Sequence, residues 1–483
     1  MLSSCDFLVI GSGPAGQKAA IQGAKSGKSV ILLECEPTIG GMCVHKGTIP
    51  SKALRESALK HRQARELLNV ERPTELKPLM QMVDSVIAAH DKYITNQLDR
   101  NGIQCIRGKA RFENEKVVKV TEPGGKERLI EAEHIFIATG SKPRKPPNIN
   151  VDHECVVDSD SILSMNYLPK SLIVLGGGVI ACEYASVFVN LGCEVTLVDR
   201  FAQPLGFLDQ DLPKRFLDVF ERLGGVFVGN TTVVSASSDG FTGAEITLED
   251  GSIMKAEKVL VAQGRVSSLA GLNLEVTGVE VSDLGLIKAN ENCQTNVSHI
   301  YAIGDVIGPP SLASSAMEQG RKAACHALGK PRDELLSKFI PSGIYAIPEM
   351  ASVGMTEAEA VSRFGKPIIG RAEFNEVARG LIAGSEEGMV KMISDAQGDK
   401  LVGMHIVGAG ATELIHMAQV ALTNQAPVSS FVDQIFNFPT LAEAYRVAAL
   451  NIQGQLALAS TVPDAAIAAT EDTTLPLPRI AGV

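Results

Sequence analysis

Six residues near the N-terminus have the types and spacing that cradle a diphosphate. They read GSGPAG at positions 11–16. Gly11 permits a tight turn, Gly13 lets the backbone approach a pyrophosphate, and Gly16 lets a helix pack closely on a strand. Glu34 ends the next apolar run, where its carboxylate can accept hydrogen bonds from a ribose. Together these residues predict a dinucleotide site rather than an ordinary loop.

A second loop of the same kind reads GGGVIA at positions 176–181. Gly176 and Gly178 repeat the first two roles, and Ala181 stands at the third glycine, which is an accepted variant. Asp199 ends the following apolar run and favours an unphosphorylated ribose, hence NAD. Arg200 comes next and could pair with a 2′-phosphate, hence NADP, or simply point to solvent. Two such loops predict two dinucleotides, one a tightly bound flavin and the other a mobile nicotinamide.

Three later segments support the flavin. A buried apolar run leads into Thr139 and Gly140, and another leads into Asp305, whose carboxylate could hold a ribitol hydroxyl group. Ala313 then stands near the start of a predicted helix that runs to Lys322. The N-terminus of that helix could stabilise negative charge on a reduced flavin ring.

These residues need a strand before each loop and a helix after it, and the chain supplies both twice. Short β-branched runs alternate with helical patterns, which is typical of an α/β fold. The predicted strand–helix–strand units are Phe7–Ile10, Ala15–Ser26 and Lys28–Leu33, then Leu172–Leu175, Ile180–Asn190 and Glu194–Val198. Beyond about residue 340 the loop pattern stops. A third, mixed α+β domain is predicted there from strands at Gly388–Ile393 and Leu401–Val407 and a helix at Ala411–Leu422.

Composition argues against several classes of partner. The 483 residues carry a formal net charge of −10, so no basic excess is present to neutralise nucleic-acid phosphates or an anionic membrane. The nine cysteines include no C-x-x-C pair, so no metal site is predicted. No apolar run reaches the roughly 20 residues of a membrane helix, and no signal peptide is recognised. A reducing, cytoplasmic location is the default expectation.

The stretch GGMCVHKGTIPSK at positions 40–52 reads as an active-site helix. With both glycine loops, it makes the chain resemble the class I pyridine nucleotide-disulfide oxidoreductases from Asp6 to about Asn451. In that family the helix carries two cysteines, which form a redox disulfide beside the flavin. Here Cys43 matches the first cysteine, but Thr48 stands at the second, and a hydroxyl group cannot form a disulfide.

A second departure lies near the C-terminus, in FNFPTLAE at positions 436–443. The family carries an acid–base histidine before this proline, whereas Phe438 stands here and has no titratable group. Glu443, which would orient that histidine, is retained. Both departures remove dithiol chemistry and leave flavin and nicotinamide chemistry intact. The combination resembles the soluble, Si-specific pyridine nucleotide transhydrogenase branch of the family, with matching stretches at Cys43–Arg55, Asp158–Met165 and Phe436–Asn451.

The resemblance implies roles for individual residues. Lys52 is expected beside the flavin N5 atom, in contact with FAD and paired with Glu183. Cys43 is either a third catalytic residue or a packed thiol. Gly41 and Ala110 are further expected FAD contacts, and Gly264 is an expected nicotinamide-nucleotide contact.

The implied reaction is ping-pong: NADPH delivers hydride to FAD, NADP⁺ leaves, and NAD⁺ collects the hydride at the same site. Three alternatives stay open. They are a diaphorase or quinone reductase, a divergent dihydrolipoamide dehydrogenase, and a non-enzymatic flavin-based redox sensor. The first needs the same residues, whereas Thr48 and Phe438 oppose the second.

The predicted architecture is α/β, with two Rossmann-like dinucleotide-binding domains and a C-terminal α+β dimerisation domain. Residues 1–150 and 276–338 are expected to bind FAD, and residues 151–275 to bind NAD(P). Residues 339–458 are expected to form the interface of a homodimer, and residues 459–483 a disordered tail.

Overall fold

The first glycine loop joins a buried parallel strand to a helix, as its sequence predicts. The computed structural model describes residues 2–69, 74–238, 240, 243–330 and 339–461. In its first part the helices are α1 Pro14–Lys25, α2 Gly41–His45, α3 Thr48–Leu68 and α4 Leu76–Arg100. The strands are β1 Leu2–Ile10, β2 Val30–Glu34, β3 Gln104–Arg107, β4 Lys109–Phe112, β5 Val117–Thr121, β6 Glu127–Ile137 and β7 Ser141–Pro143.

The second loop repeats this arrangement further along the chain. The helices that follow are α5 Val179–Asn190, α6 Asp211–Arg222 and α7 Ala313–Ala327. The strands are β8 Val156–Asp158, β9 Ser171–Leu175, β10 Glu194–Val198, β11 Val226–Val228, β12 Val233–Ser238, β13 Ala244–Leu248, β14 Ile253–Ala256, β15 Lys258–Val261, β16 Arg265–Ser267 and β17 Ile300–Ala302.

Two parallel sheets carry the two loops. The first has the order β3-β2-β1-β6, with β17 also parallel to β6 and an antiparallel ribbon, β5-β4, on the first half of β6. The second is parallel throughout, in the order β11-β10-β9-β15-β8. In each sheet one strand runs at its carboxyl end into a glycine loop, β1 into the first loop and β9 into the second. The carboxyl ends of the strands are where open α/β sheets bind ligands. The predicted α/β class is therefore confirmed.

Two smaller sheets complete this part of the chain. Strands β12-β13-β14 form an antiparallel sheet, and β7 pairs with β16 in a two-stranded antiparallel ribbon. β1 begins at Leu2 rather than at the predicted Phe7, because Leu2–Cys5 continue its pairing with β6. That segment is largely exposed and polar, so it carries none of the apolar signal on which the prediction depended.

The last part of the chain contains a five-stranded, largely antiparallel sheet. Its strands are β18 Ser342–Ile344, β19 Met350–Gly354, β20 Ile369–Glu373, β21 Met389–Ser394 and β22 Leu401–Val407, in the order β18-β19-β22-β21-β20. Its helices are α8 Glu357–Phe364, α9 Ala378–Ala383, α10 Ala411–Thr423, α11 Ser429–Asp433 and α12 Glu443–Thr461.

The chain divides into two compact units, whose boundaries differ from those of the three predicted domains. One contains residues 1–340 and Ile344–Glu349, and the other contains Pro341–Gly343 and residues 350–483. The three-domain boundaries stay a prediction. The predicted tail begins at residue 459, inside α12, and its residues 462–483 lie outside the described residues.

Helices α1 and α7 pack against each other through small residues. Gly320 on α7 lies so close to α1 that a Cβ atom there would be 2.1 Å from the Ala15 carbonyl oxygen. The backbone at Ala15 belongs to the first glycine loop. The contact between α7 and α1 therefore supports the backbone of that loop. A larger residue at position 320 must displace this backbone.

We expect Gly320→Ala to lower the melting temperature, because the added methyl group overpacks a rigid backbone contact at a cost of about 1–3 kcal/mol. Gly454→Ala is the matched control, since Gly454 lies within α12 and no atom is within 4 Å of its ideal Cβ position. That substitution should stabilise its helix by about 0.5–1 kcal/mol. The melting temperatures of both variants, measured by thermal unfolding, test this expectation. An unchanged melting temperature for Gly320→Ala would contradict it.

Candidate active site

The first glycine loop has the shape of a phosphate cradle. Gly11 has a φ of +108°, and a Cβ atom there would be 2.3 Å from the Ala138 carbonyl oxygen. Gly13 caps the N-terminus of α1, and nothing lies within 4 Å of its ideal Cβ position. Gly16 lies against Gly11, since its Cβ atom would be 1.9 Å from the Gly11 carbonyl oxygen. The loop is thus tight towards the sheet and open where a pyrophosphate would meet the helix N-terminus.

Glu34 lies beside this loop and is almost fully buried. Its Oε2 accepts a hydrogen bond from the backbone nitrogen of Ser12 at 3.0 Å and another from the Ser12 hydroxyl group. Its Oε1 accepts from the backbone nitrogen of Glu36 at 2.9 Å. The carboxylate is therefore oriented by the loop itself, in the place where a ribose would follow the diphosphate.

Further predicted FAD contacts leave open polar positions nearby. The Thr139 hydroxyl oxygen is buried and has no hydrogen-bond partner, and nothing lies within 4 Å of the ideal Cβ position of Gly140. Asp305 accepts a hydrogen bond from the Ser141 hydroxyl group at 2.6 Å. An orphaned buried hydroxyl group next to an open glycine is what a polar ligand would satisfy. These residues fit a bound dinucleotide.

Three other predicted FAD residues occupy distinct places. Gly41 follows Gly40 at the start of α2, and a Cβ atom there would be 2.8 Å from the Cα atom of Gly13, so this turn closes onto the first loop. Ala110 is partly buried on β4. Ala313 is the first residue of α7, as expected for a helix N-terminus.

The second glycine loop is built in the same way around Asp199. A Cβ atom at Gly176 would be 2.7 Å from the Ala262 carbonyl oxygen, whereas the ideal Cβ position of Gly178 at the N-terminus of α5 is open. The Asp199 carboxylate lies against Gly177, where a Cβ atom would be 2.2 Å from its Oδ2. Ala181 is fully buried in α5.

Asp199 and Arg200 face different surroundings. The Asp199 carboxylate accepts the backbone N–H of Arg200 at 2.8 Å. Its pKa is raised, because burial outweighs the hydrogen bonds and the nearby Arg200 charge. The Arg200 guanidinium lies over the Phe201 ring, 4.7 Å from its centroid. Gly264 has a φ of +99° and its carbonyl oxygen accepts the backbone N–H of Arg144 at 3.0 Å.

Lys52 and Glu183 form the contact that the resemblance implies. The Lys52 Nζ is 2.6 Å from the Glu183 Oε2, with side-chain exposures of 24% and 7%. The second oxygen, Oε1, accepts the backbone N–H of Tyr345 at 2.9 Å. The Lys52 Nζ also lies over the Tyr345 ring, 5.0 Å from its centroid. The pair thus joins α3 to α5 and is completed by Tyr345, to which the sequence analysis assigned no role.

The prediction of one continuous helix at positions 40–52 is wrong. Helix α2 ends at His45 and α3 begins at Thr48. Gly47 separates them with φ −124° and ψ −112°, and a Cβ atom there would be 3.1 Å from the Met42 carbonyl oxygen. Lys52 therefore lies on a different helix from Cys43.

The surroundings of Cys43 disfavour its thiolate form. Burial raises its pKa, against smaller opposing effects of a hydrogen bond with Thr48 and the Lys52 charge. All nine cysteines lie in the described ranges, and all are free. His45 Nε2 is 2.8 Å from the Ile39 carbonyl oxygen, just before α2, and 3.8 Å from the carboxylate of Asp91 on α4.

Phe438 and Glu443 lie in the second unit. The Phe438 side chain is 70% exposed, and Glu443 accepts the backbone N–H of Thr440 at 3.2 Å. The carboxylate of Glu443 thus orients its own turn.

A polar network that the sequence analysis missed begins at Arg265. Its guanidinium donates to the Ser141 hydroxyl and carbonyl oxygens at 2.9 and 2.8 Å, and to the Ser159 hydroxyl oxygen at 3.3 Å. Ser141 in turn donates to Asp305, so the β7–β16 ribbon is linked to a predicted FAD residue. An arginine directly after Gly264 was the available signal.

Two absences hold for the described residues. No helix there has the length and apolar character needed to cross a membrane. Across the same ranges, no three His, Cys, Asp or Glu side chains are grouped so that they could hold a metal ion.

Comparison with known proteins places these features in a family. Residues 5–320 match the model of the pyridine nucleotide-disulphide oxidoreductases, and residues 340–449 match the dimerisation domain of the same family. A soluble pyridine nucleotide transhydrogenase from Mycobacterium bovis is 40% identical over 93% of this chain and 97% of that protein. One from Aliivibrio fischeri is 40% identical over 92% and 96%.

Solved structures give the same relationship. LpdA from Mycobacterium tuberculosis has a TM-score of 0.86 at 27% identity and covers 92% of this chain and 99% of its own. The HOCl-induced flavoprotein disulfide reductase RclA from Escherichia coli has a TM-score of 0.85 at 26% identity, with the same coverage. From its two glycine loops to its C-terminal sheet, the chain belongs to the pyridine nucleotide-disulphide oxidoreductase family.

Proposed function

We propose that this chain is a Si-specific, FAD-dependent pyridine nucleotide transhydrogenase, which moves hydride between NADPH and NAD⁺ without a redox disulfide. The observation that carries the proposal is a contrast within one site. The Lys52–Glu183 pair and both glycine loops are complete. In contrast, Thr48 stands at the position where the family has the second cysteine of the redox disulfide, so Cys43 has no sulfur partner there. The names of the 40% identical relatives support the same reaction.

The first loop and its neighbours are the proposed FAD site. Bound FAD would supply a carrier that takes up a hydride and gives it back. Gly13 and the N-terminus of α1 would bind the diphosphate, Glu34 a ribose, and Asp305 a ribitol hydroxyl group. The remaining proposed contacts are Gly11, Gly16, Gly41, Lys52, Ala110, Thr139, Gly140 and Ala313.

The second loop is the proposed site for both nicotinamide nucleotides. Gly176, Gly178 and Ala181 would approach the diphosphate, with Gly264 alongside. The Asp199 carboxylate would accept a hydrogen bond from the ribose 2′-hydroxyl group of NAD(H). Arg200 is exposed and follows Asp199 directly in the chain, so its guanidinium would bind the 2′-phosphate of NADP(H). One site can therefore serve both nucleotides in turn.

Lys52 and Glu183 would set the electrostatics of hydride transfer. Lys52 is an ammonium group on a partly buried side chain, and such a charge is worth more there than in water. Glu183 is the ion-pair partner of that ammonium group. No protein acid or base is required, which agrees with Phe438 in place of a histidine. Cys43 would contribute packing, because its raised pKa keeps the thiol neutral.

We infer a homodimer in the cytoplasm. The dimerisation-domain match at residues 340–449 supports the assembly, and the second unit exposes the apolar side chains of Ile435 and Phe438. Nine free cysteines are in keeping with a reducing compartment. The division into FAD, NAD(P) and interface domains is part of the same proposal.

The direct test is anaerobic stopped-flow spectroscopy of the FAD-loaded protein. We expect NADPH to bleach the flavin and a thio-analogue of NAD⁺ to restore its colour with formation of the reduced analogue. Cys43→Ser should do both at rates within about threefold of the parent, because the thiol carries no electrons. A flavin that only a quinone or dioxygen reoxidises would favour a diaphorase, and an inactive Cys43→Ser variant would return the thiol to the mechanism.

Arg200 and Asp199 should control the two nucleotides separately. We expect Arg200→Leu to raise the KM for NADPH by about tenfold, because a charge-assisted contact is lost, and to leave the KM for NADH nearly unchanged. Asp199→Asn should raise the KM for NADH instead. Arg363→Leu is the matched control, because Arg363 also lies over the ring of the next residue, Phe364, at 5.4 Å. Equal effects of Arg200→Leu on both nucleotides would contradict the assignment.

Nucleotide preference should also depend on pH. The Asp199 carboxyl has a raised pKa, so it gains a proton as the pH falls, at a higher pH than an ordinary aspartate. Loss of that negative charge removes repulsion of the 2′-phosphate. We therefore expect the ratio of kcat/KM for NADPH over NADH to rise as the pH falls towards the pKa of this carboxyl, which lies above that of an ordinary aspartate. Asp199→Asn should abolish the trend, and a trend that persists in that variant would place its origin elsewhere.

A further inference from the structure

A short segment, Ile344–Glu349, belongs to the first unit although the residues on either side of it belong to the second. We call it the strap. Ile344, Ala346 and Ile347 are buried at 1%, 0% and 9% exposure. Because the match to the dimerisation domain begins at residue 340, neither the sequence nor the family match marks these six residues as part of the first unit.

The strap is bound to α5 at two points. The backbone nitrogen of Tyr345 donates to the Glu183 Oε1 at 2.9 Å, and that of Ile347 donates to the Ser186 hydroxyl oxygen at 3.0 Å. The Ser186 hydroxyl group itself donates to the Glu183 carbonyl oxygen at 2.9 Å. One turn of α5 thus presents two side-chain acceptors to alternate backbone groups of the strap.

The strap is bound to α3 through Arg55, which is 5% exposed. Its Nε donates to the Ala346 carbonyl oxygen at 3.0 Å, and its Nη2 is 3.0 Å from the Glu349 carboxylate. Arginine is suited to such a place, because its planar fork can hold a carbonyl and a carboxylate oxygen at once. The strap therefore fastens α3 and α5 to each other, and these are the helices that carry Lys52 and Glu183.

Tyr345 contacts both members of that pair. Its N–H occupies the Glu183 oxygen that Lys52 leaves free, and its ring lies 5.0 Å below the Lys52 ammonium group. A lysine side chain has several soft rotatable bonds, which a partly exposed ion pair and a 3.3 Å hydrogen bond to the adjacent Ser51 hydroxyl group restrict only in part. The aromatic face of Tyr345 restricts the ammonium group further.

We propose that Tyr345 is a positioning residue for hydride transfer, which fixes the Lys52 ammonium group through its ring and the Glu183 carboxylate through its N–H. The inference rests on the proposed function, since it assigns a purpose to the Lys52–Glu183 pair. Tyr345 acts through that pair. Its phenolic hydroxyl group has no part in the effect.

The test uses FAD-loaded protein carrying Tyr345→Leu and Tyr345→Phe. Leucine keeps the N–H and an apolar side chain but removes the ring, whereas phenylalanine keeps both the N–H and the ring. We expect Tyr345→Leu to slow reduction of the flavin by NADPH by about 3- to 30-fold, the range set by loss of one cation–π contact. The Kd for NADPH should stay within about twofold. Tyr345→Phe should reduce the flavin at the same rate as the parent protein.

A second readout does not depend on turnover. Displacement of a cation from the flavin makes the reduced form less stable, so Tyr345→Leu should shift the flavin midpoint potential to more negative values, and Tyr345→Phe should not. Tyr167→Leu is the matched control, because Tyr167 has a similar contact, 4.9 Å from its ring centroid to the Lys258 Nζ. That variant should change neither the rate nor the potential.

The outcomes separate the inference from the function beneath it. If Tyr345→Leu keeps the parent rate and potential, or if Tyr345→Phe is as slow as Tyr345→Leu, the positioning role is wrong while hydride transfer in the parent stands. The positioning role is equally wrong if Tyr345→Leu loses only FAD or thermal stability. If neither NADPH nor NADH bleaches the parent flavin, the proposed function fails and the inference falls with it.

Discussion

The ion pair between Lys52 and Glu183 is the constraint on which the rest of the first unit depends. Taking a carboxylate to 7% exposure is costly unless its oxygens are satisfied. The structure satisfies both, one with Lys52 on α3 and the other with the Tyr345 N–H. Helix α3 follows the first glycine loop in the chain and α5 begins at the second. Together with the strap, this interaction therefore links the helices that follow the two glycine loops.

Each half places a carboxylate against a glycine loop, and the two halves stabilise that carboxylate with different groups. In the first half Ser12 supplies both a backbone N–H and a hydroxyl group to Glu34. In the second half Gly177 has no side chain, so the shorter Asp199 approaches the backbone directly. The longer acid is thus held on both sides, whereas the shorter one keeps a raised pKa beside an exposed arginine.

The sequence was sufficient for the elements that depend on local pattern. Both strand–helix–strand units and both glycine loops follow from periodicity and from spacings of a few residues. It was insufficient where a contact joins distant segments. The break at Gly47 was missed because the resemblance suggested one helix, although the glycine was visible. Tyr345 is 162 residues from Glu183, and it contributes a backbone N–H, which every residue except proline possesses.

The Arg265 network sets the direction of the hydrogen bonds that lead to Asp305. A guanidinium group only donates hydrogen bonds, so the Ser141 hydroxyl oxygen must accept from it and direct its own hydrogen to Asp305. The direction of every hydrogen bond along this line is therefore set by one residue that never loses its proton. A ligand hydroxyl group, which can both donate and accept, would extend this line of hydrogen bonds beyond Asp305, whereas a phosphate or carbonyl oxygen, which only accepts, would not.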